Sequence, residues 1–422
     1  MKTIVQAALA VLLVCGVAQG AAPLYVTPTG SGNGSGNCNI ISNKPDATPY
    51  GYDYFVLRGG LDNCRLKFMR EKTGRVAFIG GSITWMNGWR GLVCKELQKR
   101  FPETKFDFVN AGISSLDSTP GAFRFSRDVL ANGPVDLLFS EAAVNDYYNG
   151  RTAVEQIRGV EGIVRQARIA NPAIDIILMH FADDNKMSII RQNKTPEVII
   201  SHEKVAVYYN LPSIDLAREV TKRIDSKEFT WEKFGGLHPA PFGHDLYAKT
   251  IARMFDAAWA GPVRAEAQVK SYALPPKPLD EKSYFRGKLV DIKIAKLGDG
   301  WKIDPAWKPF DNAGTRPGFV NVPMLIAVEP GATLNFKFNG TAVGIFVAAG
   351  PDTGTVKYRI DGGKANTRDL FNEWSDRLHL PVAQVLAAEL RPGSHELELR
   401  VAPTANDKSK GHAVRIAYFL VN

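Results

Sequence analysis

Cysteine is scarce, with four in 422 residues, at positions 15, 38, 64 and 94. That rules out a fold stapled by a disulfide framework, and no two of the four show metal-ligand spacing. Long apolar runs are missing too. The longest near the N-terminus, Ile4 to Val17, has about 14 residues where a membrane span needs about 20, so no membrane partner is expected. Charge of neither sign comes in blocks: 52 basic and 43 acidic residues are scattered, giving +9 overall. Nothing in that pattern indicates nucleic acid, and the net charge reads as a solubility feature, with an acidic glycan as the other option. There is no fixed-length repeat and no long apolar lid of the kind a lipase uses at an oil surface. His180, Asp183 and Asp184 share one loop, but such a trio is ordinarily solvated, so neither metal nor cofactor is expected.

The N-terminus, MKTIVQAALAVLLVCGVAQGAAP, has one lysine, an apolar core and small residues at Ala18 to Gly20. This is the build of a signal peptide over residues 1–20, so the expected location is secreted or periplasmic. Cleavage removes Cys15 and leaves Cys38 and Cys64 as the natural pair, with Cys94 a small buried helix residue. Residues 21–64 are rich in Gly, Asn, Ser and Pro and read as an irregular lead-in, although Leu24 to Thr27 could add a strand to a sheet.

From residue 65 to 261 the texture changes. Apolar runs of strand length, RVAFIGG, FDFVNAG, VDLLFSEA and IDIILMHF, alternate with segments of helical period. In TAVEQIRGVEGIVRQARIANP, residues Val154, Ile157, Val160, Val164 and Ala167 recur at three- and four-residue steps, and Asn171-Pro172 stops the helix. The segment from Gly243 to Trp259 does the same. Continuous apolar strands alternating with amphipathic helices predict an α/β sandwich with a parallel sheet covered on both faces. Residues 262–284, with several prolines, read as a linker. Over 285–422 the period becomes two, with Asn-Gly, Asp-Gly-Gly and Pro-Gly turn signals, which predicts a second, all-β sandwich domain.

In open parallel sheets, ligands bind outside the carboxyl ends of the strands. That rule selects Gly80 to Ser82, Asn110 to Gly112, Asn145 with Asp146, and His180. Ser82 could attack an acyl carbon if a base takes its proton. His238, in the loop GGLHPAPFGH before the last helix of the α/β unit, is the strongest candidate base, because the helix N-terminus beside it disfavours an imidazolium. His244 lies inside that helix and reads as a packing residue. The amides of Ser82 and Gly112 and the side-chain amide of Asn145 could supply oxyanion donors. Taken singly, Gly112 is also an ordinary turn glycine and Asn145 an ordinary helix cap.

The four blocks GGSIT, NAG, AVND and LHPAPFGH, in this order and at these separations, resemble the conserved blocks of the SGNH/GDSL esterase and lipase superfamily. The resemblance spans about Arg65 to Trp259. It implies a flavodoxin-like α/β/α sandwich, Ser82 as nucleophile, Gly112 and Asn145 completing the oxyanion hole with the Ser82 amide, and His238 as general base. Three positions depart from the pattern. Gly81 stands where the first block has Asp, a variation common among the carbohydrate esterases. Ala143 stands where the third block has Gly. Gly235 stands where an Asp normally orients the histidine.

Without that Asp, His238 needs another orienting group, for which Glu232 in TWEKFGGLH and a backbone carbonyl are candidates, or it works as a Ser-His dyad. Trp85 and Arg90, just after the nucleophile, are candidates for binding a sugar ring and a hydroxyl or carboxylate. Trp89 reads as core. The expected protein is a secreted serine esterase removing O-acetyl or other small acyl groups from a glycan, the acylated glycan being its partner. The sandwich could bind carbohydrate, with Trp301, Trp307 and Trp374 as possible platforms. The alternatives are a catalytically degenerate carbohydrate-binding protein, or a lipid or thioester hydrolase.

Overall fold

The computed structural model describes residues 54–422. The expected signal peptide, the strand at Leu24 to Thr27, and Cys15 and Cys38 lie outside the described residues. Cys64 is buried, and its Sγ–H donates to the Leu61 carbonyl.

Strands and helices alternate in the first part. A short strand β1 (Phe55–Val56) precedes α1 (Asp62–Arg70), β2 (Thr73–Gly80), α2 (Ser82–Trp85), α3 (Trp89–Arg100) and β3 (Lys105–Gly112). Then come α4 (Ser118–Asp128), β4 (Leu137–Glu141), α5 (Ala143–Tyr148), α6 (Ala153–Ala170), β5 (Asp175–Met179), α7 (Asp184–Arg191) and α8 (Glu197–Tyr208). The part closes with β6 (Ser213–Ile214), α9 (Leu216–Asp225), α10 (Trp231–Phe234) and α11 (Pro241–Ala258). The sheet order is β1-β6-β5-β4-β2-β3, parallel throughout except for β1, which pairs antiparallel with β6.

Side chains of this sheet alternate between two cores. Val76, Phe78, Leu137 and Phe139 pack with α3 and α11, while Ala77, Ile79 and Leu138 pack with α4 and α6. This is why β4 and β5 read as unbroken apolar runs rather than as alternating ones. Helix α6 starts on a capping box between Thr152 and Glu155 and ends at Asn171 before Pro172, as the pattern predicts. It is buried on more than one face. Gly162 lies so close to Ala122 and to the Tyr284 carbonyl that a Cβ there would stand 2.8 Å from that oxygen.

The chain after α11 is β-rich. Strands β7 (Lys288–Val290), β8 (Lys296–Leu297), β9 (Lys302–Trp307), β10 (Gly314–Thr315), β11 (Val322–Ala327) and β12 (Thr333–Gly340) come first. They are followed by β13 (Val343–Ala349), β14 (Thr355–Ile360), β15 (Asn366–Asp369), β16 (Leu378–Ala387), β17 (Gly393–Val401) and β18 (Val414–Val421). One sheet of seven strands runs β10-β16-β13-β18-β11-β9, with β7 on β18, and one of five runs β15-β14-β17-β12-β8. Leu325, Ile345, Val347 and Ile416 of the larger sheet meet Phe336, Phe338, Leu397 and Leu399 of the smaller.

The opposite face of the larger sheet is also covered. Met324, Ile326, Phe346, Ala348 and Leu420 share a core with Ala122, Phe123, Val160 and Ile163 of α4 and α6. Each fully buried Met, Ile, Leu, Val or Phe there contributes on the order of 2 kcal/mol. Polar clamps reinforce the contact. Arg158 reaches Asp280 at 2.9 Å and Glu389 at 2.8 Å, and Arg151 donates to the Ala383 carbonyl at 2.9 Å. The segment 262–284 has no helix or strand, yet it is strapped down: Tyr272 N–H donates to the Pro172 carbonyl at 2.8 Å, and Asp280 N–H to Glu161 at 2.9 Å.

Candidate active site

Strands β2, β3 and β4 are adjacent, and their carboxyl ends open on the same edge of the sheet. Between β2 and β4 the order of connection reverses, which is where an open α/β sheet has its crevice. Ser82 stands at the first residue of α2, one residue beyond Gly81, and its Oγ lies 2.8 Å from Nε2 of His238. The two come from opposite ends of the α/β unit.

The loop carrying His238 is built by short-range hydrogen bonds. Thr230 caps α10 through a bond from the Lys233 N–H at 3.1 Å. The helix stops at Gly235, whose φ of 108° is left-handed, and the N–H groups of Gly235 and Gly236 both return to the Trp231 carbonyl. The Ala240 N–H then donates to the Phe234 carbonyl at 2.8 Å, and Pro241 opens α11. A Cβ at Gly235 would overlap the Ala240 amide nitrogen and lie 2.7 Å from the Pro239 carbonyl carbon. The missing Asp is therefore a rebuilt turn in which a side chain has no room.

Glu232 is exposed on α10 and makes no hydrogen bond to His238. The imidazole is held below its ordinary pKa by burial and by the positive charge of Arg316. That shift favours the neutral ring, the form a general base needs.

Asn145, on α5, donates from Nδ2 to the Leu116 carbonyl at 2.8 Å, which fixes the amide beside Gly81. Gly81 makes this possible, because a Cβ there would overlap that same Nδ2. The next residue, Asp146, is fully buried and anchored by the Ser118 N–H at 3.1 Å, the Ser118 hydroxyl at 2.7 Å and His202 Nε2 at 2.7 Å. The polar anchor on Asp146 sets where Asn145 points. Gly112 packs against the backbone of α2, with a Cβ position only 2.7 Å from the Thr84 carbonyl carbon. Its N–H donates to Oδ1 of Asn110 at 3.0 Å, so it serves an oxyanion only when Asn110 shares it.

Trp85, at the end of the short helix that Ser82 begins, is 44% exposed. Arg90 spends its Nε on the Thr84 carbonyl at 3.2 Å, tying α3 to α2. Trp89 is fully buried against Phe78, with Nε1 donating to the Ile83 carbonyl at 3.1 Å. His180 and Asp183 are buried rather than solvated: His180 Nε2 lies 2.9 Å from Glu203, and Asp183 caps α7 and pairs with Lys186. Among the described residues, no cluster of His, Cys, Asp or Glu has the arrangement of a metal site. Cys94 is half-buried, and burial pushes its thiol up to about 11, which keeps it unreactive.

Sequence reasoning missed Arg316, on the loop after β10 in the sandwich. Its Nε donates to the Ser115 hydroxyl at 3.4 Å, and its charge reaches His238. Ser115 itself has a left-handed φ of 73°. Only the Ser115 region carries a block signal in the sequence; Arg316 has none, because it arrives from the other sheet system. A cleft of about 770 Å³ opens between the two parts, lined on one side by Ser115, Leu116 and Tyr148 and on the other by Arg368, Trp374 and Gln384.

Ser82 just after β2, His238 in the loop before α11 and Asn145 on α5 thus stand together at the crevice of a flavodoxin-like α/β sheet. Residues 78–246 match the model of the GDSL-like Lipase/Acylhydrolase family. Two solved structures resemble nearly the whole chain. One is a two-domain esterase active on acetylated mannans, co-crystallized with mannopentaose, at 20% identity and a TM-score of 0.70, covering 87% of this chain and 96% of that one. The other is likewise a two-domain esterase active on acetylated mannans, at 19% identity and a TM-score of 0.70, covering 88% of this chain and 98% of that one. At that identity the likeness defines the shared two-part fold. No curated protein matches the chain in sequence.

Proposed function

We propose that the protein is a secreted carbohydrate esterase that removes O-acetyl groups from a polysaccharide through an acyl-enzyme on Ser82. The observation that carries this is the 2.8 Å contact between Ser82 Oγ and His238 Nε2 at the sheet's crevice. In the first half-reaction, Ser82 Oγ attacks the ester carbonyl carbon as His238 Nε2 takes its proton. The Ser82 N–H and Asn145 Nδ2–H stabilise the oxyanion, with Gly112 N–H joining when Asn110 shares it. The C–O bond to the sugar breaks, and His238 returns the proton to the sugar oxygen. In the second half-reaction, His238 takes a proton from water, the hydroxide attacks the acetyl carbon, and acetate leaves as Oγ regains its proton.

The neutral imidazole and the fixed Asn145 amide favour catalysis over a decayed, binding-only domain, despite Gly235 and Ala143. The sugar assignment draws on the two-domain esterase named above, whose glycan is acetylated mannan. Acetate release from acetylated mannan, acetylated xylan and p-nitrophenyl acetate tests the proposal. No release, or release unchanged in Ser82→Ala, overturns it. Preference for long acyl chains would favour the lipid or thioester reading instead. Secretion is tested by N-terminal sequencing of exported protein, with the mature chain expected to begin near Ala21.

A further inference from the structure

We infer that the cleft between the two parts is a subsite for the sugar units flanking the acylated one, so that both sheet systems hold a single glycan chain. The inference rests on the esterase reading. Its first support is continuity with the reacting atoms. Leu116, which lines the cleft, accepts the hydrogen bond that fixes Asn145, and Ser115 beside it accepts from Arg316, whose charge reaches His238. The cleft therefore adjoins the candidate site through Leu116 and Ser115, on the side from which Arg316 reaches His238, the group that returns a proton to the sugar oxygen.

Its second support is the chemistry of the walls. Trp374 is 36% exposed, and the Arg377 guanidinium stacks 4.8 Å from the ring centre, which holds the indole in place and leaves it available as a platform. Tyr148, on α5 one turn beyond Asn145, lines the same cleft. Arg368 and Gln384 add planar hydrogen-bonding groups from the sandwich. A pyranose ring offers an apolar C–H face to an aromatic surface and equatorial hydroxyls to planar side chains at its rim, so this mixture suits a neutral sugar chain. An acyl chain would need a continuous apolar wall, which the charged lining denies it. The buried tryptophans of the sandwich, Trp301 and Trp307, are unavailable for this role at 8% and 2% exposure.

The test compares kcat/KM on acetylated manno- and xylo-oligosaccharides of increasing length in the full chain, in Trp374→Ala and in Arg368→Ala. In the unmodified protein, kcat/KM should rise about tenfold from the acetylated monosaccharide to the longer oligomers, the scale of one aromatic stacking contact. Trp374→Ala should lose most of that rise through KM, Arg368→Ala should lose part of it, and both should hydrolyse p-nitrophenyl acetate at the unmodified rate, which also shows that they fold. Length-independent rates, or variants that keep the rise, overturn the inference. If the protein hydrolyses no ester at all, the esterase reading fails separately. Calorimetric binding of unacetylated oligosaccharides then decides: binding lost in Trp374→Ala supports the subsite, while no binding or unchanged binding overturns it.

Discussion

Gly235 and Ala240 approach so closely that a Cβ on the first would overlap the amide nitrogen of the second. Putting back the acid that related sites use should therefore harm the enzyme. Gly235→Asp adds both this overlap and a side chain at a φ of 108°, a strain of roughly 1–3 kcal/mol before the clash is counted. The expected outcome is a lower Tm together with a kcat/KM reduced at least about tenfold, because His238 sits in the turn that must shift. Thermal melts and p-nitrophenyl acetate kinetics on the same preparation check it, and a variant that gains activity would mean that the turn can reopen.

The two members of the dyad should behave unlike their neighbour. Ser82→Ala and His238→Ala are each expected to lower kcat by roughly 10³-fold or more, as removal of a nucleophile or its base does. Glu232→Gln should leave kcat within about twofold, since the carboxylate is exposed and unbonded to the imidazole. Steady-state rates at one pH distinguish these outcomes, and a large loss in the Glu232 variant would put that side chain back in the mechanism.

Gly81 offers a cleaner separation of folding from catalysis. Its missing Cβ leaves room chiefly for the side-chain amide of Asn145, with the Leu116 carbonyl oxygen next at 3.3 Å. Gly81→Ala should push that amide aside at little loss of Tm. The loss should fall on kcat by roughly 10- to 10³-fold with KM nearly unchanged, the signature of a weakened oxyanion donor.

Arg316 is expected to shift the acidic limit of activity. Burial and the guanidinium both lower the His238 pKa, so the imidazole stays neutral, and competent, further into the acid range than a free histidine. Removing the charge in Arg316→Gln lets that pKa rise toward its ordinary value. The acid limb of kcat/KM should then move to higher pH, whereas a purely structural role would lower the rate at every pH alike. A kcat/KM profile from acid to neutral pH on p-nitrophenyl acetate reads the difference.

Stability should peak on the acid side of neutrality. Burial raises Glu141 to about 7, so its folded carboxyl prefers to be protonated, and that contribution is present at low pH and lost as pH rises through about 7. Burial also acts on Glu203, but His180 and Arg58 outweigh it and hold that carboxyl at about 2. Its contribution is present above the ordinary glutamate range and lost as pH falls toward 2. Melting temperatures should therefore be higher near pH 5.5 than at pH 8 and should fall steeply in strong acid, and a flat profile would remove Glu141 from the balance.

How much of this was legible before any coordinates depended on how local the cause was. The strand-end rule picks out Ser82, Gly112 and Asn145 because each lies at or just beyond the end of a strand that its own apolar run announces, and the structure sets Ser82 beside His238. The capping box of α6 was equally local. Strict alternation worked for β12, whose outer face is wet, and failed for β13, which is buried along its whole length because helices cover one face and a second sheet the other. His180 and Asp183 read as solvated because the carboxylates and cations that pair with them come from α7 and α8 and, for Glu203, from β1's flank at Arg58. Arg316 could not be found at all, since its relation to His238 exists only once two separate sheet systems dock.

That docking bears on how the chain can be handled. A sugar-binding module joined by a free tether can be cut away, exchanged or fused elsewhere with its partner intact. Here the Phe346 and Leu420 face of the larger sheet is the covering layer of α4 and α6. Shortening the gene after α11 would leave a greasy strip on the hydrolase half and should yield aggregates, not a smaller enzyme, so library design or domain grafting has to treat residues 54–422 as one cassette.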